Sequence, residues 1–221
     1  MTPGVTAVID SLPFLWRGLL VTLSVSALVV VLSLVVGSVL GVLRVFGSEI
    51  LHPIIQGFSD VVRGIPVLVL IFFVFYGLPS VGINLNSYVA AVVALTLFSA
   101  AQVTELARGA LQSIHHGQTE AGKAIGLDFN QRIIFVILPQ AVRRFLPAWV
   151  NSVTDAVKGS ALVSLIGVVD LMQAIQQVIG RTYNALPLYL IGAAIYFIIN
   201  FGLSTLSQRI ERRMTFANAR E

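Results

Sequence analysis

The chain predicts an all-α integral membrane domain of about five transmembrane helices, its longest inner loop built as a docking element. Three observations carry that expectation. Hydrophobic residues make up 57% of the 221 residues and charged residues only 11%, against roughly 45–50% and 25% in soluble domains. The stretch from Gly18 to Leu43 carries no charge, and at a rise of about 1.5 Å per residue it crosses a hydrocarbon core of roughly 30 Å with some tilt. The arginines cluster beside apolar runs, where inner loops place them.

The same composition excludes several classes. With so much of the chain committed to apolar spans, residues 1–221 leave room for one membrane domain and no further soluble domain of ordinary size. Cysteine is absent and the three histidines, His52, His115 and His116, suggest no ligand set, so neither disulfides nor a metal site are expected. The net charge of +4 follows from topology and does not imply a nucleic-acid partner. Asp10 and two prolines in Met1 to Arg17 do not make the basic n-region of a cleaved signal peptide. No His-rich, HExxH or GxSxG pattern supports a membrane-embedded enzyme.

Taken in order, the first span is followed by a polar turn, Arg44 to Pro53. A second apolar run from Ile54 to Tyr76 is expected to stop at Gly77-Leu78-Pro79. The uncharged loop Ser80 to Ser87 falls on the outer face, and a third span runs from about Tyr88 to Ile114. Lys123, Arg132, Arg143 and Arg144 against Glu120 and Asp128 mark the next segment as cytoplasmic. A fourth span begins near Arg144, and its polar run Asn151 to Ser160 must face protein or water. Gly159 and Gly167 interrupt the chain beyond it, and Asp170 to Ala185 reads as an outer loop holding a short amphipathic helix at Leu171, Ile175 and Val178. The last span, Leu186 to about Leu206, leads into Arg209, Arg212 and Arg213, which places the C-terminus inside and, by parity, the N-terminus outside. Ser33, Gly37 and Gly41 form a small-residue ridge for close approach of another helix. Trp16, Trp149, Tyr183 and Tyr189 read as interfacial anchors and core.

The segment Gln118 to Pro139, within a coupling loop of about 115–140, is polar and helix-forming between long apolar runs. Thr119 or a nearby polar residue caps a first helix through Ile125, Gly126 supplies the left-handed residue that ends it, Asp128 and Gln131 form a capping box, and Pro139 closes the second helix. Such an angled knob transmits a push. Read from the residues alone, an amphipathic segment held on lipid headgroups by Lys123 and Arg132 is the alternative.

Glu120, Ala121 and Gly126, followed by Val136, Leu138 and Pro139, resemble the EAA loop of importer permeases in the ABC transporter superfamily. Flanking residues from Glu105 through Arg108 to Ile114, Gln140-Ala141, Pro147-Ala148 and Arg63-Gly-Ile-Pro66 look like its polar amino acid uptake branch. Gly122 replaces the second alanine of the pattern, at about 1 kcal/mol of helix propensity. The resemblance implies a type I importer-like fold in a bacterial inner membrane and an ATPase seat at Glu120, Ala121, Gly126, Leu138 and Pro139. It also implies partners: a second permease subunit, identical or homologous, two cytoplasmic ATPases that bind ATP and Mg, and an extracytoplasmic amino-acid-binding protein. No GxxxxGK[ST] occurs, so no nucleotide cofactor and no ATP hydrolysis are expected of this chain itself.

Charged groups within the spans need partners. Glu105 and Arg108, at i,i+3, read as a structural ion pair or a gate. Asn151, Thr154, Asp155 and Lys158 make a polar stripe one helix wide, the expected substrate contact. In the resembling family the segment after Pro147-Ala148 carries substrate-contacting residues and Asn151 matches its usual asparagine, whereas Ser152 replaces a frequent acidic residue and Asp155 stands at a usually uncharged position. Asp155 is free to hold a cationic side chain or is spent on Lys158 or Arg63. Arg63 is the candidate for a substrate α-carboxylate, because a guanidinium forks two hydrogen bonds to a carboxylate, or it is spent on Asp60 or Asp155. The rival function is an ion-coupled secondary transporter of a small polar solute, with Asp155 or Glu105 as its ion site.

Overall fold

The computed structural model describes residues 3–218, and among them every regular element is helical. The helices are α1 (Pro3–Phe46), α2 (Leu51–Gly64), α3 (Val67–Phe72), α4 (Ser87–Gln112), α5 (His116–Ala124), α6 (Phe129–Arg132), α7 (Leu138–Gly159), α8 (Leu171–Thr182) and α9 (Ala185–Asn218). Among the described residues four stretches are long and apolar enough to cross a membrane, Asp10–Phe46, Ser87–Gln112, Phe129–Ile166 and Ala185–Arg209. The fifth span is present only as a broken one.

That break corrects the continuous run expected from Ile54 to Tyr76: α2 and the stretch Val67–Val81 meet at an angle of 103°. Pro66 is the cause. It has no N–H to continue the helix, and its ring drives the preceding residue out of the helical region; Ile65 accordingly sits at φ −94°, ψ 133°. The expected stop at Gly77-Leu78-Pro79 also moves. α3 runs through a π turn (Phe73–Gly77) into a 3-10 turn (Leu78–Val81), where Pro79 occupies the first turn that needs no N–H, and the segment ends at Gly82, φ +84°.

The centre of the bundle is α1 lying along α4. Their contact is as close as backbone allows: a Cβ on Gly37 would stand 2.6 Å from the Val103 Cβ, and one on Gly41 2.5 Å from that of Ala107. The ridge of Ser33, Gly37 and Gly41 thus receives α4, and small side chains there let dispersion contacts replace the hydrophobic drive that is missing in lipid. Val25, Val29, Ala90, Ala94 and Leu95 are buried around it. Val31, Val35 and Val39 of α1 and Phe197, Ile198 and Phe201 of α9 are exposed, a surface for lipid or another apolar partner.

At the end of the bundle away from α5, α8 is wedged between α1 and α9 with Leu171, Ile175 and Val178 inward, as the amphipathic pattern requires. Its first turn is pinned twice: the Asp170 carboxylate accepts the Gln173 N–H at 2.9 Å, and Thr22 Oγ1 accepts the Leu171 N–H at 3.0 Å. Asp170 is fully buried, with the Tyr196 hydroxyl 3.5 Å from its other oxygen. Burial pushes its carboxyl up to about 6 despite the backbone N–H groups that favour the charged form.

Candidate functional site

The knob is α5 and α6. His115, not Thr119, caps α5, accepting the Gly117 N–H on Nδ1 at 3.1 Å. The helix ends in a Schellman motif: the Gly126 N–H reaches the Lys123 carbonyl and the Leu127 N–H the Gly122 carbonyl, each at 3.0 Å, with Gly126 at φ +81°. Asp128 and Gln131 then form the reciprocal capping box, at 2.8 and 3.0 Å. These bonds fix the angle between the two helices.

Pro139 does not close the second helix. α6 continues through a π turn (Ile133–Ile137) into α7, where Pro139 sits in the first turn, so the helix that carries the fourth span starts at Phe129, well before Arg144. The knob is therefore stiffly continuous with a span. Gln140 donates to Gln118 at 3.2 Å, and Arg144 donates to the Ser113 carbonyl, tying α7 to the C-cap of α4. Glu120 and Ala121 are exposed, Glu120 3.2 Å from His116, and Ile125 and Phe129 are exposed too. Gly122 is buried under the Arg132 stem, whose Cγ would lie 2.9 Å from an added Cβ, which gives a packing reason for glycine there.

Glu105 and Arg108 form the expected pair, Nε at 3.0 Å and Nη2 at 2.9 Å from Oε2. The pair is part of a larger cluster. Arg44 of α1 pairs with the other carboxylate oxygen, and Arg63 of α2 reaches Oε2 at 3.9 Å. Arg63 thus engages neither Asp60 nor Asp155; α2 packs against α4 and brings it to Glu105 instead. Asp60 lies near enough to Arg44 to act on it electrostatically.

The stripe stands apart. Asp155 is spent on Lys158 at 3.1 Å, and both are exposed together with Asn151, while Thr154 turns its hydroxyl to the Asn151 carbonyl at 2.7 Å. A Cβ on Gly159 would stand 4.0 Å from the Leu95 side chain, ten residues before Glu105, so Lys158 lies about 15 Å along the bundle from the arginine cluster. The five residues expected to contact substrate therefore fall into two stations. Asn151 is the stripe member nearest the cluster, since Phe145 and Trp149 pack against Val103 and Ala107.

Sequence reasoning passed over several polar residues. Arg44 reads from the sequence only as the start of a polar turn. Ser207 donates to Asn151 Oδ1 at 3.1 Å, and Asn200, whose amide donates to the Tyr196 carbonyl at 2.8 Å, leaves its Oδ1 buried without a hydrogen-bond partner. Isolated polar residues in an otherwise apolar last span were the available signal. Tyr183 is 89% exposed and Trp149 stacks on Phe145, consistent with anchors and core.

A bundle of apolar spans with a broken helix, an outward polar stripe and a rigid terminal knob defines a membrane transport subunit, and comparison with known proteins says which. Residues 33–216 match the binding-protein-dependent transport system inner membrane component family. The probable glutamine ABC transporter permease protein GlnP of Bacillus subtilis (strain 168) is 36% identical over 93% of this chain and 96% of its own. The glutamine transport system permease protein GlnP of Escherichia coli (strain K12) is 36% identical over 95% and 96%. A crystal structure of an amino acid ABC transporter with histidines superposes with a TM-score of 0.89 at 31% identity, covering 96% of this chain and 100% of that one. The chain belongs to the binding-protein-dependent transport system inner membrane component family, among its amino acid ABC permeases. That membership decides against the ion-coupled secondary transporter.

Proposed function

We propose that this permease carries a neutral, amide-bearing amino acid of the glutamine type into the cytoplasm, driven by separate ATPase subunits. The observation that carries the substrate class is the self-neutralised stripe: with Asp155 and Lys158 3.1 Å apart, the outer station presents no net charge to a ligand, only amide, hydroxyl and a paired dipole. The glutamine permeases among its relatives support the same class.

Asn151, Asp155 and Lys158 are exposed on a membrane-spanning helix, a position tolerable only against protein or a water-filled path. A second permease subunit, identical or homologous, covers that face and completes the path. The knob end is cytoplasmic, the N-terminus outside and the C-terminus inside, as the basic flanks require. Two ATPases holding ATP and Mg seat on Glu120, Ala121, Gly126, Leu138 and Pro139, and an extracytoplasmic amino-acid-binding protein delivers substrate at the other end. The amino acid passes from Asn151, Thr154, Asp155 and Lys158 to Arg63, which takes its α-carboxylate. ATP-driven closure of the ATPases moves the knob, and the rigid link into α7 conveys that motion to the spans.

The test is uptake by the assembled transporter in proteoliposomes, with acidic, basic and neutral amino acids. Wild type is expected to prefer glutamine. Lys158→Met uncovers the Asp155 charge and should admit cationic amino acids, and Asp155→Asn should favour acidic ones. An unchanged preference in both variants refutes the assignment of substrate class.

A further inference from the structure

Glu105 is shared unequally among its three arginines. Arg108 holds Oε2 by two contacts, at 3.0 and 2.9 Å, and Arg44 pairs with Oε1. Arg63 reaches Oε2 at 3.9 Å, the longest of these edges, with its side chain 45% exposed against 12% for Arg44 and 32% for Arg108. A carboxylate stripped of its only cation inside a protein is costly. Glu105 does not meet that penalty if Arg63 leaves, because two guanidiniums remain on it. Arg63 is therefore the member of the cluster that changes partners at small cost, and a second carboxylate is the partner that a planar guanidinium fits best.

Resting on the reading that Arg63 receives the α-carboxylate, we propose that Glu105 is its positioning residue and an internal competitor of the substrate. It holds Arg63 in place when the inner station is empty, yields it to the incoming carboxylate, and reclaims it as the amino acid leaves. The exchange swaps ionic partners and makes or breaks no covalent bond. Its placement couples it to the knob. Glu105 is seven residues from the end of α4 at Gln112, about two turns, and the adjoining Ser113 carbonyl is held by Arg144 of α7. Motion of the knob thus shifts the Glu105 carboxylate relative to α2, which carries Arg63, and sets when it reclaims the guanidinium.

The experiment is glutamine uptake by the complete transporter, with its ATPase and binding protein, in proteoliposomes. Without its competitor, Arg63 should hold substrate longer: Glu105→Gln is expected to lower both KM and turnover by about two- to fivefold, the range of a partly exposed ion pair. Glu105→Asp, which keeps the charge on a shorter stem, should lower KM less than Glu105→Gln does, and in an Arg63→Ala background Glu105→Gln should leave KM unmoved. A purely structural Glu105 would instead cut the yield of folded protein and turnover at constant KM. Should Glu105→Gln fail to fold, Glu105→Asp alone decides: its shorter stem weakens the hold on Arg63 and should lower KM, and an unchanged KM overturns the proposal. Arg63→Ala with wild-type KM sinks the reading of Arg63 itself. A KM sensitive to Arg63→Ala but not to Glu105→Gln sinks only the exchange.

Discussion

Replacing Gly126 isolates the backbone geometry of the knob from its contacts. Gly126 lies at φ +81°, and no heavy atom comes within 4 Å of where its Cβ would stand, so alanine there meets no obstacle except its own backbone. The left-handed conformation costs a residue with a Cβ about 1–2 kcal/mol. Two bonds depend on that conformation, from the Gly126 N–H to Lys123 and from the Leu127 N–H to Gly122, each 3.0 Å. If the ATPase requires the angled knob and the free knob relaxes, the strain is subtracted from docking, which weakens association about 5- to 30-fold. Asparagine tolerates the left-handed region better, so Gly126→Asn should fall between glycine and alanine. The assay is titration of purified ATPase onto the detergent-solubilised permease for the three proteins, with a thermal melt of each permease alone. The exposed position predicts a nearly constant Tm. Alanine binding as tightly as glycine, or asparagine and alanine losing equally, would show that the conformation of this residue is not what the partner reads.

Three further outcomes are expected. Glu120→Lys, which reverses an exposed charge on the knob, should abolish ATPase co-purification while the permease elutes and melts as wild type; retained association and uptake would remove Glu120 from the seat. Gly41→Ala places a Cβ 2.5 Å from that of Ala107 and 3.0 Å from the Thr104 carbonyl and should destabilise the bundle by about 1–3 kcal/mol, read as a lowered Tm, whereas Gly109→Ala, with open space around it, should not. Asp170, pushed up to about 6 from 3.8, binds its proton more tightly folded than unfolded. Its contribution is therefore fully present below pH 3.8 and is lost as pH rises through 6, a difference of about 3 kcal/mol. Asp170→Asn should flatten the dependence of melting temperature on pH across that window, and an unaltered slope would refute the burial argument.

How far the sequence alone reached can be argued from particular residues. Gly126, Asp128 and Gln131 do locally what their side chains dictate, because caps and left-handed turns are settled within four residues of chain. The amphipathic helix after Asp170 and the ridge of Ser33, Gly37 and Gly41 were legible for a related reason, since periodicity states which face needs a neighbour. Prolines were read less well. Pro66 sits in an apolar run whose hydropathy shows no interruption, yet it turns the chain by 103°; Pro139 looks like a terminator and opens a helix instead. Proline excludes one hydrogen bond, and whether the chain bends, stops or restarts depends on what receives the freed backbone groups.

The ion pairs mark the same limit. Spacing alone paired Glu105 with Arg108 and Asp155 with Lys158, both within one turn of helix. It could not bring Arg44 and Arg63 to Glu105, because those residues approach from α1 and α2. Composition and local pattern determined that this protein is a helical membrane domain with a capped knob between two of its spans, since lipid leaves each span no option except to satisfy its own backbone. Which spans touch, where the broken one points, and how one carboxylate comes to be shared by three guanidiniums were decided only in three dimensions, by side-chain packing between segments far apart in the chain.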